Sequence, residues 1–394
     1  PEKRLYFLEG AELFNNEINV FYSRRIGDID WGVKTNGRVG KFNYSVLGAD
    51  ERAGDGTDPT SHTEVVRLQR DVLGSSNIGL TAVSRSWDGG YARVLSADGV
   101  LNINSSTSLR TQFAGSFPSG GADFTSAQAL RLSYTKGLYQ VNLGGYNYDP
   151  GFRDNVNKVG FVPEDNYVRP FTWFSGEHWI RRYGIDKISF NQGNDISWRH
   201  DGALKVVRIR AWTGVTFFSN WLVGAGGNYE TELFEKRFNN SNQTLEWLWD
   251  NRKGNQVNYL QVWGRNFDRD FSRIRQRGGF RLTDEFRLNV GVTRLHFSPD
   301  PTRQSTYLYD LTSDYNFSPD LWLRLTSQYN SRNGRMYVYG LFGWRFAPPF
   351  GALYVAYTAD RFDILDGMGR LDPLAGRENQ RAFFVKLTLP VALL

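Results

Sequence analysis

The chain has 394 residues, 47 Lys and Arg against 41 Asp and Glu for a net charge of +6, and no cysteine. A disulfide framework, a thiolate metal centre and a cysteine nucleophile are therefore excluded. Aromatic residues make up 15% of the chain while its mean hydropathy is −0.48, which is unusual for a soluble enzyme and expected of aromatic girdles around a polar-lined barrel. No run approaches the roughly 18 apolar residues of a membrane-spanning helix. The basic residues are dispersed, so nucleic acid is not an expected partner.

In chain order, the sequence opens at Pro1 with no methionine and no signal peptide, and so reads as a processed chain or a fragment. "PEKRLYFLEGAELFNN" (1–16) precedes the first strand and is read as a periplasmic or lumenal N-terminal segment, with the barrel over 17–394. From there one event recurs: about ten residues of alternation, a turn rich in Gly, Asn, Asp, Ser or Pro, and ten more. Short turns such as "NGRVGK" (36–41), "LGSSN" (73–77), "TKG" (135–137) and "LTDE" (282–285) alternate with longer polar connections such as 49–62, 148–167, 234–243, 267–272 and 361–380. "LRLSYTKGLYQVNL" (130–143) is one such hairpin, with Leu130, Leu132 and Tyr134 on one parity and Arg131, Ser133 and Thr135 on the other. "EFRLNVGVT" (285–293), "STYLYDLTSDY" (305–315), "LWLRLTSQYN" (321–330) and "AFFVKLTLPV" (382–391) repeat the pattern.

Short turns sorted to one side and long loops to the other predict an all-β fold, an antiparallel transmembrane β-barrel of about 20–22 strands, with short periplasmic turns and longer extracellular loops. Both termini are then expected on the short-turn side. Aromatics near strand ends, Tyr44, Trp87, Tyr91, Tyr146, Tyr148, Trp221, Tyr315, Trp322, Phe346 and Tyr354, are expected to form interfacial belts.

If the apolar faces meet lipid, Arg67, Arg110, Arg131, Arg208, Arg210, Arg287, Arg324 and Lys386 point into the lumen, with Asp310 and Asp314 opposite. Such a lining favours anionic or hydroxyl-rich solutes, although the same residues could instead pair with inward acids and brace a filled lumen. Sixteen residues cannot plug so wide a barrel unless the long loops 148–167 and 361–380 fold in. Asp50, Asp55 and Asp58 are weak calcium candidates, as are Asp363, Asp366 and Asp372; their spacing fits no EF-hand. The histidines, His62, His178, His200 and His296, sit in no nucleophile or zinc motif, so no catalytic residue is assigned and the chain reads as a non-enzyme. No cofactor is expected.

"PEKRLYFLEGAELF" (1–14), "FYSRRIG" (21–27), "GVKTNGRVGKFNYSVLGA" (32–49) and "VVRLQRDVLGSSNIGLTAV" (65–83) resemble the C-terminal barrel region of a bacterial family that carries a carbohydrate-binding family 9-like domain upstream. The resemblance implies an outer-membrane location and a β-sandwich domain ahead of the barrel. Together these features predict an outer-membrane channel or gated pore for small polar or anionic solutes, sugar-related ones among them. The alternatives are a non-conducting barrel that anchors an envelope protein complex and, further off, a membrane-embedded hydrolase. Expected partners are membrane lipids and lipopolysaccharide, other envelope proteins, or an upstream domain of the same protein.

Overall fold

The computed structural model describes residues 10–27, 29–51, 60–121, 123–299, 305–348, 351–364 and 376–389. The period-two alternation becomes pairing: among the described residues 21 strands, from β1 (Ile29–Val39) to β21 (Arg377–Thr388), join in one antiparallel sheet. Helix is limited, among the described residues, to 3-10 turns at Ala11–Phe14 and Ser23–Arg25 and one short helix, α1 (Phe152–Val156). Among the described residues no helix is long and apolar enough to cross a membrane. In the hairpin of β7 (Thr125–Lys136) and β8 (Tyr139–Tyr148), Leu132 faces Leu143 and Tyr134 faces Val141. Gly137, at φ 59°, supplies the left-handed turn conformation that "TKG" implies.

Several connections are shorter than their sequence suggests. "SWDGG" and "FDRDFS" are crossed by turns of two residues, at 88–89 and 267–268, and "RFNNSNQ" is strand rather than loop. Polar residues on both parities read as loop, yet the ladder continues through them and their side chains add to it. Asn240 Oδ1, for example, accepts a 2.6 Å bond from the Phe267 amide.

The chain forms two compact units: residues 1–176, 191–209 and 230–237, and residues 177–190, 210–229 and 238–394. In the first, β2 (Phe42–Glu51), β3 (Ser61–Val72), β4 (Ser76–Trp87), β5 (Gly90–Asn102), β6 (Thr107–Pro118) and β7 present two unlike faces. One parity is covered: Leu47, Ala49, Val65, Val83, Ala92, Val94, Ala114, Ala127 and Ala129 are at most 3% exposed. The other carries large apolar side chains left open, with Leu80 at 54%, Leu95 at 52% and Leu130 at 52%.

The cover is built from two segments. Residues 10–27 thread along the face, from Gly10 beside Asn36 near the 40–41 turn to Gly27, whose amide reaches Glu51 next to connection 52–60. Residues 149–166 lie beside them on the same face, burying Phe152, Val156, Val159 and Val162. The segment ahead of the sheet therefore extends through Gly27, not to residue 16. Because Ile29 pairs with Glu51, β1 itself starts on the long-connection side, and the thread of 10–27 returns the chain to the short-turn side by Gly10.

The second unit shows the same two parities on β14 (Gln256–Asn266), β15 (Arg269–Arg281), β16 (Phe286–Ser298), β17 (Thr306–Ser318) and β18 (Leu321–Asn330). Val290, Val292, Tyr309, Leu311, Leu323 and Leu325 are open on one face, at 36–44% exposure. The opposite face carries a polar row: Asn258 faces Arg277, Arg277 faces Gly291, and Gly291 faces Asp310.

Candidate functional site

On the covered face of the first unit, polar side chains grip the thread. Gln112, 2% exposed, holds the Ile18 backbone twice: its Oε1 accepts from Ile18 N at 2.6 Å, and its Nε2 donates to Ile18 O at 3.0 Å. The same Nε2 lies 2.9 Å from Ser96 Oγ. Arg131 pairs with Glu17 at 2.9 Å, and Tyr146 donates to the same carboxylate at 2.9 Å. Glu51, 4% exposed, accepts from Gly27 N, Thr63 Oγ1 and Arg85 Nη2 at 2.8–3.1 Å.

The two covering segments also hold each other. Tyr22 N donates to Val159 O and Phe161 N to Asn19 O, both at 2.9 Å. Arg85 Nη1 donates to the carbonyls of Arg25 (3.3 Å) and Lys158 (3.0 Å), one on each segment. Gly160 has to be glycine for close approach: a Cβ there would lie 2.5 Å from Asn19 O and 2.8 Å from Val20 C.

Arg67, only 1% exposed, forms a two-pronged pair with Asp98, its Nη2–Oδ1 contact measuring 2.9 Å, and donates to Thr81 Oγ1 at 3.0 Å. Its guanidinium lies flat over Gly79, where a Cβ would come within 2.5 Å of it. Arg208 is held by both oxygens of Glu230 (2.8 and 2.6 Å) and by Asp195 (3.3 Å). Arg67, Arg131 and Arg208 are thus braced by acids. Arg110 shares the Gln112 parity, pairs in register with Arg131, and is exposed. Arg210 is half-buried on the Arg208 parity.

In the second unit, Arg287, Asp310, Asp314, Arg324 and Lys386 all lie on the polar parity. Arg324 bonds Asp314 at 2.5 Å and is 51% exposed; Arg277 is 3.6 Å from Asp310 and 52% exposed. Sequence reading passed over the most basic strand of this face. β15 carries Arg269, Arg273, Arg275, Arg277 and Arg281 on a single parity. The strict spacing of arginines in "RDFSRIRQRGGFR" was the available signal.

Of the aromatics expected in belts, Trp87, Tyr146 and Tyr148 lie on the covered parity. Tyr148 is 7% exposed, with ring contacts to Tyr146, Phe152 and Tyr167. Trp322 and Tyr354 pack edge to face over the polar parity at Gly343. Their parity, and not their closeness to a strand end, decides the face they occupy.

Among the metal candidates, Asp50 contacts His62 Nδ1, and Asp363 is bonded by Arg377 at 2.5 Å. Asp55, Asp58, Asp366 and Asp372 lie outside the described residues. No cluster of three or more His, Cys, Asp or Glu that could hold a metal occurs among the described residues. Two histidines contact polar neighbours in other ways: His200 meets Asn147 (2.9 Å) and Asn166, and His296 Nδ1 is 3.3 Å from Ser305 Oγ. Arg294 Nε donates to that same hydroxyl at 3.2 Å.

No family model matches the chain, and no curated protein matches it. Among solved structures it is similar to the ferric-catecholate import receptor Fiu of E. coli K12, at 8% identity and a TM-score of 0.49, over 90% of this chain and 71% of that one. The ferric yersiniabactin uptake receptor FyuA of Yersinia pestis matches at 8% identity and TM-score 0.45, over 89% and 69%. The ferric preacinetobactin receptor BauA of Acinetobacter baumannii matches at 9% and 0.46, over 90% and 69%. What those receptors import is a property of theirs alone.

Proposed function

We propose that the chain is an integral β-barrel of a bacterial outer membrane, and that it passes small polar or anionic solutes along the arginine-bearing face of its second unit. One observation carries the membrane part: the large apolar side chains of one parity stand open, while charged and polar ones are buried among the small apolar residues of the other. Leu80, Leu95 and Leu130 stand more than half exposed, while Arg67, Gln112 and Ser45 on the alternate parity are 0–2% exposed. Leaving one leucine in water instead of burying it forgoes about 1.5–3 kcal/mol, and the pattern repeats strand after strand. Hydrocarbon against that face removes the penalty, and closure of the sheet would leave no unpaired edge in lipid.

The solute part rests on the exposed arginines of β15 with Arg324. At an aqueous wall these draw anions, as charged linings set pore selectivity.

The absence of cysteine makes labelling a direct test. In native membranes Leu95→Cys should ignore a charged maleimide and, once carrying an uncharged thiol-reactive fluorophore, be quenched by lipid-borne quenchers, while Arg277→Cys should react with the charged maleimide. The reverse pattern would overturn the membrane reading. Conductance of the purified chain in a planar bilayer tests the solute part, with open steps preferring anions as the expected result.

A second reading has its own support. Residues 10–27 and 149–166 fill the covered face of the first unit, which suits a barrel that anchors an envelope complex and conducts nothing. A correctly inserted but silent chain would favour it.

A further inference from the structure

On the open, apolar parity of the second unit the belt is interrupted. Gly278 and Ser327 leave a groove of about 650 Å³, walled by Trp247, Tyr259, Phe280, Val292, Tyr309 and Tyr329 and with the Gln276 side of β15 beside it. That volume is within the roughly 300–1,000 Å³ of ligand pockets. Most of its lining residues belong to the open parity, so the groove opens to the same side as Val290 and Leu311.

Beside the groove, one rung toward the long connections, the surface turns polar. Arg294 follows Val292 by two residues, about 7 Å along the strand; it shares the open parity, is exposed, and faces Tyr307 on β17 and Ile274 on β15. Ser305 and His296 stand beside it, joined through the 3.2 Å Arg294–Ser305 and 3.3 Å Ser305–His296 contacts. A guanidinium, a hydroxyl and an imidazole thus converge on the long-connection flank of an apolar groove. The nearest carboxylate on this parity in β15, Asp270, is one rung beyond His296, opposite Arg265.

We infer that this groove binds one acyl chain of an anionic phospholipid, with Arg294, Ser305 and His296 holding a headgroup phosphate that no choline cation neutralises. The inference rests on the membrane reading above and adds a site to it. Bulk lipid would wet any apolar belt. A specific lipid is indicated here because an apolar groove of this volume lies one rung from a cationic donor cluster. Arginine suits phosphate because its fork of donors matches the phosphate oxygens.

The probes are two lipids with the same photoreactive acyl chain, a phosphatidylglycerol and a phosphatidylcholine, each mixed into vesicles holding the full chain. Carbonate extraction of the same vesicles reports insertion. The expected result is preferential labelling by the phosphatidylglycerol probe of peptides containing Tyr259, Gly278 and Tyr309. Arg294→Gln should cut that preference about fivefold, in line with the worth of one cation near an anionic surface. Gly278→Leu, which fills the trough, should reduce labelling by both probes. If the chain inserts but labels evenly with both probes, or if Arg294→Gln changes nothing, the site is overturned and the membrane reading stands. If the wild-type chain is extracted by carbonate, both are overturned.

Discussion

At the scale of single residues, the strongest commitments are buried polar groups whose partners are fixed. Asp98→Ala leaves the Arg67 guanidinium 1% exposed and unpaired, and should cost about 3–5 kcal/mol. The double variant Arg67→Met with Asp98→Leu should recover much of that, because an apolar pair of similar volume carries no stranded charge. Urea unfolding in detergent micelles reads both, and a double variant no better than the single would refute the pairing. Gln112→Ala strips three hydrogen bonds from buried groups; at about 1–3 kcal/mol for each group left unsatisfied, it should loosen residues 10–27 before it unfolds the sheet. Little of this was legible beforehand. Ile18 and Gln112 are 94 residues apart, and nothing local in "NEINV" signals a partner. Arg67 could be read as inward from its parity, but the acid that neutralises it could not.

At the scale of elements, alternation was enough to place most side chains on the correct parity, as Leu130, Leu132 and Tyr134 illustrate with 37–52% exposure. It failed where an element is not a strand. Phe152, Val156, Val159 and Val162 recur every three or four residues in "GFRDNVNKVGFVPE", a helical spacing that marks a buried element inside what reads as a polar loop. Two expectations belong at this scale. A side chain at Gly160 would meet the Asn19 and Val20 backbone, so Gly160→Val should part the two covering segments and let trypsin cut at Arg24 or Arg25 while the sheet stays intact. Equal resistance of variant and wild type would show that the segments do not depend on that contact. On β15, changing Arg273, Arg275 and Arg277 together to Gln should lower the anion preference roughly threefold, the effect of removing about one kT of local potential. Reversal potentials in a salt gradient measure it, and an unchanged ratio would remove this strand from the conduction path.

For the whole molecule, the sorting of turns gave a strand number that the structure meets with 21, because hairpin chemistry is local and leaves a local mark. The filling of the first unit left no such mark, since it depends on which distant surfaces a segment without periodicity happens to fit. The two outcomes for the molecule differ in an observable way. If residues 10–27 and 149–166 set the resting conductance, the Gly160→Val chain should pass more current than wild type at equal insertion. If both are silent, the anchoring reading gains.

The thread of residues 10–27 also has a consequence in time. It is held by β6 and β7 through Gln112 and Arg131 and flanked by residues 149–166, so its seat does not exist until β6 and β7 have paired, long after its own residues have been made. Hairpins form from neighbours and pay little loop-closure entropy; the thread must close about a hundred residues at once. Ile18 and Val20, 1–3% exposed at the end, are thus uncovered through most of assembly, until the thread and its neighbour 149–166 dock together. Refolding should then show two rates, a fast one for sheet formation and a slower one for protection of the Ile18 amide from hydrogen exchange.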